Sequence, residues 1–121
     1  MLTVKIPQYD FGYKEQFTIY TDGRQLTVKD LTDYKATLYA WDDSSAESPV
    51  INRELTIASN PTTGIVYWDI QQGETDTFGN FRAEIRLTQE TTANDTTTIV
   101  LAFSTMQFNL QIIPTWQGIG A

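Results

Sequence analysis

With neither histidine nor cysteine in its 121 residues, this chain has only carboxylates, lysine, tyrosine and hydroxyls with which to do chemistry. Three groups of them stand close enough in sequence to weigh. Asp42, Asp43 and Glu47 share one polar segment and offer hard oxygen ligands to calcium. They lack the Asp-x-Asp-x-Asp-Gly spacing, however, and a solvated acidic loop accounts for them more simply. Glu74 and Asp76 could supply half of a glycosidase carboxylate pair, with Asp69 or Glu84 as the other half. Acids beside turns and on the solvent face of strands also hydrate well and discourage edge pairing, and that is the expected role here. The aromatic residues Tyr39, Trp41, Tyr67, Trp68 and Trp116 form the third group. As a set they could stack on sugar rings. If Trp68 is core, then Tyr39, Trp41 and Trp116 serve better as a protein interface, where a large apolar area with a polar handle is favoured. No catalytic residue, cofactor or metal site is therefore expected.

Composition narrows the field further. Absence of cysteine and histidine removes disulfide scaffolds, thiol nucleophiles, Ser-His-Asp triads and nearly all zinc, copper and haem sites. Acidic side chains outnumber basic ones 15 to 8, giving a net charge of -7. Phosphate contacts drive nucleic-acid binding, so nucleic acid is not an expected partner. The N-terminal MLTVKIPQYDF has no basic segment followed by a long apolar one, so no signal peptide is expected. Without a secretion signal the Asn94-Asp95-Thr96 sequon carries no glycan. The longest apolar run is far short of the roughly 20 residues of a membrane span. A cysteine-free chain fits the cytoplasm, or a particle assembled there. At this length one domain with a substantial core is expected.

The elements that must position these residues are strands. Phe81, Ala83, Ile85 and Leu87 alternate with Arg82, Glu84, Arg86 and Thr88, the period of two that marks a half-buried strand. Val66, Trp68 and Ile70 alternate with Ile65, Tyr67 and Asp69. Asn60-Pro61-Thr62-Thr63-Gly64 is a turn, in which Pro61 presets φ and Gly64 supplies a positive one. Earlier, Leu2 to Tyr9 reads as an edge strand or lead-in arm because Pro7 lacks a ladder donor. Asp10 to Lys14 is a connection, and Phe17 and Ile19 lie on a second strand. Thr21-Asp22-Gly23-Arg24 makes a hairpin turn into a short strand at Leu26 and Val28. In Lys35 to Trp41, Ala36, Leu38 and Ala40 face one way, and Thr37, Tyr39 and Trp41 the other. Val50 to Ala58 reads as a single strand with Leu55 and Ile57 inward. Gln89 to Thr97 has no large apolar residue and reads as an exposed loop. Ile99, Leu101 and Phe103 alternate, Ser104-Thr105 interrupts, and Met106, Phe108, Leu110 and Ile112 form the closing strand. No window has the spacing of an amphipathic helix. Seven or eight short strands at roughly ten-residue spacing predict an all-β, Ig-like antiparallel sandwich without the antibody-type disulfide. The division expected is an N-terminal arm or edge strand at 1–14, the sandwich at 15–113, and a C-terminal tail at 114–121.

Four segments, taken in order, resemble a known family. Asp30-Leu31-Thr32-Asp33-Tyr34 leads into a strand, and Thr63-Gly64-Ile65-Val66 begins another. Phe78-Gly79-Asn80-Phe81-Arg82-Ala83-Glu84-Ile85-Arg86-Leu87-Thr88 follows, and Met106-Gln107-Phe108-Asn109-Leu110-Gln111-Ile112 closes. This order is similar to the N-terminal domain of phage baseplate upper proteins and to related Ig-like domains of tailed-phage structural proteins, over about residues 15 to 112. Asp33 stands where that family has glycine, a position Asp tolerates because it can visit the left-handed region. The resemblance implies a non-enzymatic virion protein, assembled in the host cytoplasm. It would sit on the tail or baseplate, or decorate the capsid. Its partners would be other virion structural proteins and further copies of itself, met through sheet edges, the Tyr39/Trp41 face and the terminal arms. The alternative is a carbohydrate-binding module that uses Trp41, Trp116 and neighbouring tyrosines on a glycan.

Overall fold

The computed structural model describes residues 2–19, 31, 33–42 and 48–114. The expected turn at Thr21 to Arg24, the strand at Leu26 and Val28, the acids Asp43 and Glu47, and Trp116 lie outside the described residues. Eight strands are described: β1 (Thr3–Pro7), β2 (Lys14–Thr18), β3 (Tyr34–Asp42), β4 (Ile51–Glu54), β5 (Thr56–Ile57), β6 (Ile65–Asp69), β7 (Gly79–Ala93) and β8 (Thr96–Ile113). A single 3-10 turn, Pro61–Thr63, is the only helical element among the described residues. No helix among the described residues is long and apolar enough to cross a membrane.

The strands form two sheets. The larger has the order β1-β8-β7-β3-β4 and the smaller β2-β6-β5. In immunoglobulin terms β8, β7 and β3 take the places of strands G, F and C, with β4 added beside C as in variable-type domains. The smaller sheet holds B, E and D. The protein is an Ig-like β-sandwich. Alternation explains the inner faces: Ala36, Leu38 and Ala40 of β3 are buried, as are Phe81, Ala83, Ile85 and Leu87 of β7 and Val66 and Trp68 of β6. They meet Ile6, Phe17, Phe108, Leu110 and Ile112 in one core. Small and large residues complement each other across the strands, since Ala40 pairs with Ala83 and Ala83 with Phe108. The turn chemistry holds as well. Gly64 has φ 69° and Asp33 φ 68°, so Asp33 occupies the left-handed region for which glycine is usual.

Four details depart from the sequence-based expectation. The sandwich is not purely antiparallel, because β1 runs parallel to β8, from Thr3 opposite Asn109 to Pro7 opposite Ile113. β1 is an edge strand, and the chain leaves it across the end of the sandwich to begin β2 in the other sheet. The segment Val50 to Ala58 is two strands. β4 pairs with β3 and β5 with β6, and buried Leu55 lies between them with its N–H donating to the Ala36 carbonyl at 2.8 Å. The switch lets one run of sequence close both sheets. Third, Gln89 to Thr97 is not a loop. β7 and β8 continue as a paired ribbon to Ala93 opposite Thr96, leaving a two-residue turn. Asn94 and Asp95 take φ 53° and 64°, the double positive φ of a type I′ hairpin turn that Asn and Asp tolerate. Threonine is β-branched and suits an extended backbone even with both faces in solvent.

Finally, Ser104-Thr105 does not interrupt β8. The register passes from Met106 opposite Ile85 to Ser104 opposite Arg86, which leaves Thr105 as the extra residue of a β-bulge. Thr105 is buried and its hydroxyl donates to the Ile85 carbonyl at 3.0 Å. Phe103 and Met106 are three residues apart, an odd number. Only an extra residue between them lets both stand in register with the buried Leu87 and Ile85. A second shift at Gln89 and Glu90 leaves Val100 unpaired in the same way.

Candidate functional site

The outer face of the larger sheet carries the Tyr39 and Trp41 pair. Because β3 alternates, these two residues and Thr37 project away from the core and are half-buried. Their rings stack on each other with centroids 5.9 Å apart and planes 26° apart. In the register, Trp41 stands opposite Arg82, and Tyr39 stands between Asn52 and Glu84. The Arg82 guanidinium lies over the Trp41 ring, 5.8 Å from its centroid. An exposed cation–π contact of this kind contributes about 0.5–1 kcal/mol. Its geometric effect is larger, because it covers one face of the indole. Around the aromatic pair the face is polar. Lys35 reaches Glu90 at 3.4 Å and Glu54 at 3.8 Å, and Asn109 and Gln107 stand in register beyond Arg82 and Glu84. Aromatic and arginine residues beside charged ones on an outer sheet face match the composition of a protein-binding surface.

The candidate carboxylates lie on both sheets and in the loop that holds Glu74 and Asp76. Glu74 is a structural acceptor. One of its oxygens accepts the Gln71 backbone N–H at 2.7 Å and the indole N–H of Trp68 at 3.3 Å, and the other lies 3.9 Å from Nε of Arg53. Trp68 itself is completely buried, so Glu74 satisfies the one polar atom that this core residue carries. Asp76 is exposed in the same loop, and its carbonyl accepts from Nε2 of Gln8 at 2.7 Å. Asp69 lies in the smaller sheet and Glu84 on the outer face of the larger. Asp42 ends β3 opposite Phe81. No group of three or more potential metal ligands occurs among the described residues.

Nor do the two described tryptophans converge. Trp68 is core and Trp41 is on the outer face, while Tyr67 belongs to the other sheet, with the Lys14 ammonium 5.7 Å from its ring centroid. A sugar platform built from Trp41 and several tyrosines finds only Tyr39 beside it among the described residues.

Three features escape the sequence reading. One is the long β7–β8 ribbon, whose signal was the Asn94-Asp95 pair flanked by threonines. Another is an exposed apolar end of the sandwich, where Tyr9, Phe11, Tyr13, Phe78 and Ile113 lie on converging segments. Buried polar bonds hold that end: the Thr75 hydroxyl donates to the Asp10 carbonyl at 2.8 Å, and the Gln8 N–H to the Ile113 carbonyl at 2.7 Å. Only the fold brings these segments together, since Gln8 and Asp76 are far apart in the chain.

The third is a groove of about 410 Å³ between β1 and β2, lined by Leu2, Val4, Phe17 and Glu15 among others. Glu15 is half-buried there, and loss of hydration raises its pKa above the ordinary 4.5. A carboxyl whose folded pKa is raised binds its proton more tightly in the native state. Stability therefore falls as pH rises from the unfolded value through the folded one, and stays lower above it. Glu15→Gln is expected to be more stable than the parent at pH 7. The difference should shrink as pH drops through the range just above 4.5, as thermal melts of both proteins across pH would measure. A constant difference at every pH would show that the carboxyl charge is not responsible.

No family model matches the chain, and no curated protein matches it.

Proposed function

We propose that this protein is a non-enzymatic structural module of a tailed-phage particle, placed on the tail or baseplate or decorating the capsid, and that it binds other virion proteins through the outer face of its larger sheet. The observation that carries the reading is the Tyr39–Trp41 stack with Arg82 over the indole, on the outer face of the larger sheet. An outer sheet face of this composition suits a broad protein partner. The Ig-like strand order agrees with the resemblance of the Asp30–Tyr34, Thr63–Val66, Phe78–Thr88 and Met106–Ile112 segments to phage baseplate and tail domains. A carbohydrate-binding module would need an open indole face for the sugar ring, and the Arg82 guanidinium occupies one such face of Trp41. The protein interface is favoured for that reason.

Trp41→Ala is expected to weaken incorporation into particles by about tenfold or more, as loss of an aromatic anchor does. Because Trp41 is only half-buried, folding stability should change by no more than about 1 kcal/mol. Equal loss of assembly and stability would reject the interface role. Immunogold electron microscopy locates the protein: label at the tail tip supports the baseplate position and label over the head a capsid position. Particles without label would overturn the virion reading and bring glycan binding forward.

A further inference from the structure

Among the described residues, four other than glycine take a positive φ. Three of them, Asp33, Asn94 and Asp95, are of the types that tolerate it. The fourth is Tyr9, at φ 72°. Its Cβ disfavours that conformation, and the ring gains little burial in return, since Tyr9 stays 40% exposed. Strain of this kind persists only where surrounding bonds impose it, and it gathers at sites that bind. Here the Tyr9 N–H donates to the Thr75 carbonyl at 3.2 Å, and the Gly12 N–H to the Ile70 carbonyl at 2.9 Å. The segment 8–13 is thereby fixed against the loop 70–78.

What gathers at this end is aromatic and acidic. Phe11, Tyr13 and Phe78 are between 39 and 58% exposed. Ile113, brought to Phe78 by the pairing of Ile112 with Gly79, is exposed as well. The Tyr13 hydroxyl donates to the Asp10 carboxylate, which holds a negative charge beside the rings. Residues 8–13, 69–79 and 113–114 include Asp10, Asp69, Glu74 and Asp76. They include none of the chain's eight basic residues. Lys14 stands opposite Asp69, and Arg53 beside Glu74. Among the described residues no ion pair reaches Asp10 or Asp76.

We propose that this end of the sandwich docks a basic segment of another protein, whose arginine side chains lie on the exposed rings and pair with Asp10 and Asp76. Charge complementarity selects the occupant. A guanidinium stacks on an aromatic face and bonds a carboxylate through its fork of N–H donors. One side chain therefore uses both properties of the patch. A second copy brings its own net charge of -7 and is repelled. A neutral sugar can stack on the rings but gains nothing from the charge of the acids.

This surface is separate from the outer face of the larger sheet, so the two readings fail separately. NMR spectra of the isotope-labelled full chain, titrated with a peptide of Arg-Leu-Gly repeats, are expected to shift at residues 8–13 and 70–78. A peptide with glutamate in place of arginine should leave them unchanged. Phe11→Ala and Phe78→Ala should each weaken binding of the arginine peptide by about tenfold or more. Asp10→Asn combined with Asp76→Asn should do the same, with melting temperatures near the parent's. Tyr9→Gly separates binding from folding. It removes the ring and accepts the positive φ freely, so binding should fall while the melting temperature holds. Trp41→Ala should leave binding intact. Absence of binding overturns the proposal. Binding that survives Phe11→Ala and Phe78→Ala overturns it too, as attraction to the net charge alone. Shifts at this end on concentrating the protein without peptide would assign it to a second copy. Shifts with a neutral oligosaccharide but not with the peptide would assign it to a glycan, and either result overturns the proposal.

Discussion

Trp68→Ala should cost about 3–5 kcal/mol of folding stability, the range for removing a large buried ring whose surroundings relax only in part. Trp68 is completely buried, so the change forfeits its transfer free energy and leaves a cavity in the smaller sheet's half of the core. It also frees Glu74, whose carboxylate would lose the indole donor and keep the Gln71 N–H and the Arg53 neighbour. A domain of this size has about 5–15 kcal/mol in all, so the variant should melt about 10–20 °C below the parent. Urea denaturation would measure it, as a lower midpoint with an unchanged slope. Trp68→Phe separates the two contributions. It keeps much of the ring and removes the N–H, and it should therefore lose less than the alanine variant. Combined with Glu74→Gln in a double-mutant cycle, it should show a coupling of about 0.5–1.5 kcal/mol between the indole and the carboxylate. Loss below 1 kcal/mol in Trp68→Ala would mean that the ring is not the core residue described above.

Phe108→Ala should be nearly as costly, at about 3–5 kcal/mol, for a different reason. Phe108 is a residue of β8 in the larger sheet, 1% exposed, and its ring lies 5.3 Å from that of Phe17 in the smaller sheet, tilted by 41°. It therefore packs one sheet on the other. Its neighbour in the register is Ala83, which itself stands beside Ala40, so small side chains flank the ring and cannot spread to fill the gap. Phe108→Leu should recover roughly half of the loss, because it restores volume without the aromatic contact. Equilibrium denaturation of the two variants decides the matter. Equal stability of both would show that volume contributes little and the ring pair most.

The elements legible before the fold were those whose local chemistry and tertiary setting agree. Phe81 to Thr88 alternates, and its apolar half is buried. Ala36, Leu38 and Ala40 turn inward while Tyr39 and Trp41 turn outward. Pro7 marks an edge strand, Pro61 and Gly64 a turn. In each case a single residue's geometry, or a period of two, is enough. Partition of residues between the faces of a strand follows from polarity along the strand itself.

What only the tertiary structure decided depends on contacts between distant segments. The parallel course of β1 beside β8 is set by which sheet edge is free, and no residue of Leu2 to Tyr9 encodes that. Leu55 divides β4 from β5 because two sheets compete for one apolar run. The threonines before and after Asn94-Asp95 read as loop because they are polar, but a ribbon paired with itself needs no buried face. Ser104-Thr105 reads as an interruption because alternation shifts there by one residue, and the fold absorbs that shift in a bulge around buried Thr105. For the site, the sequence by itself determined that Tyr39 and Trp41 share a face, since they are two residues apart on one strand. That Arg82 covers the indole was settled by register, which hydrogen bonds between strands impose and local sequence does not carry, and that Glu74 is committed to Trp68 was settled by the course of its loop over the core.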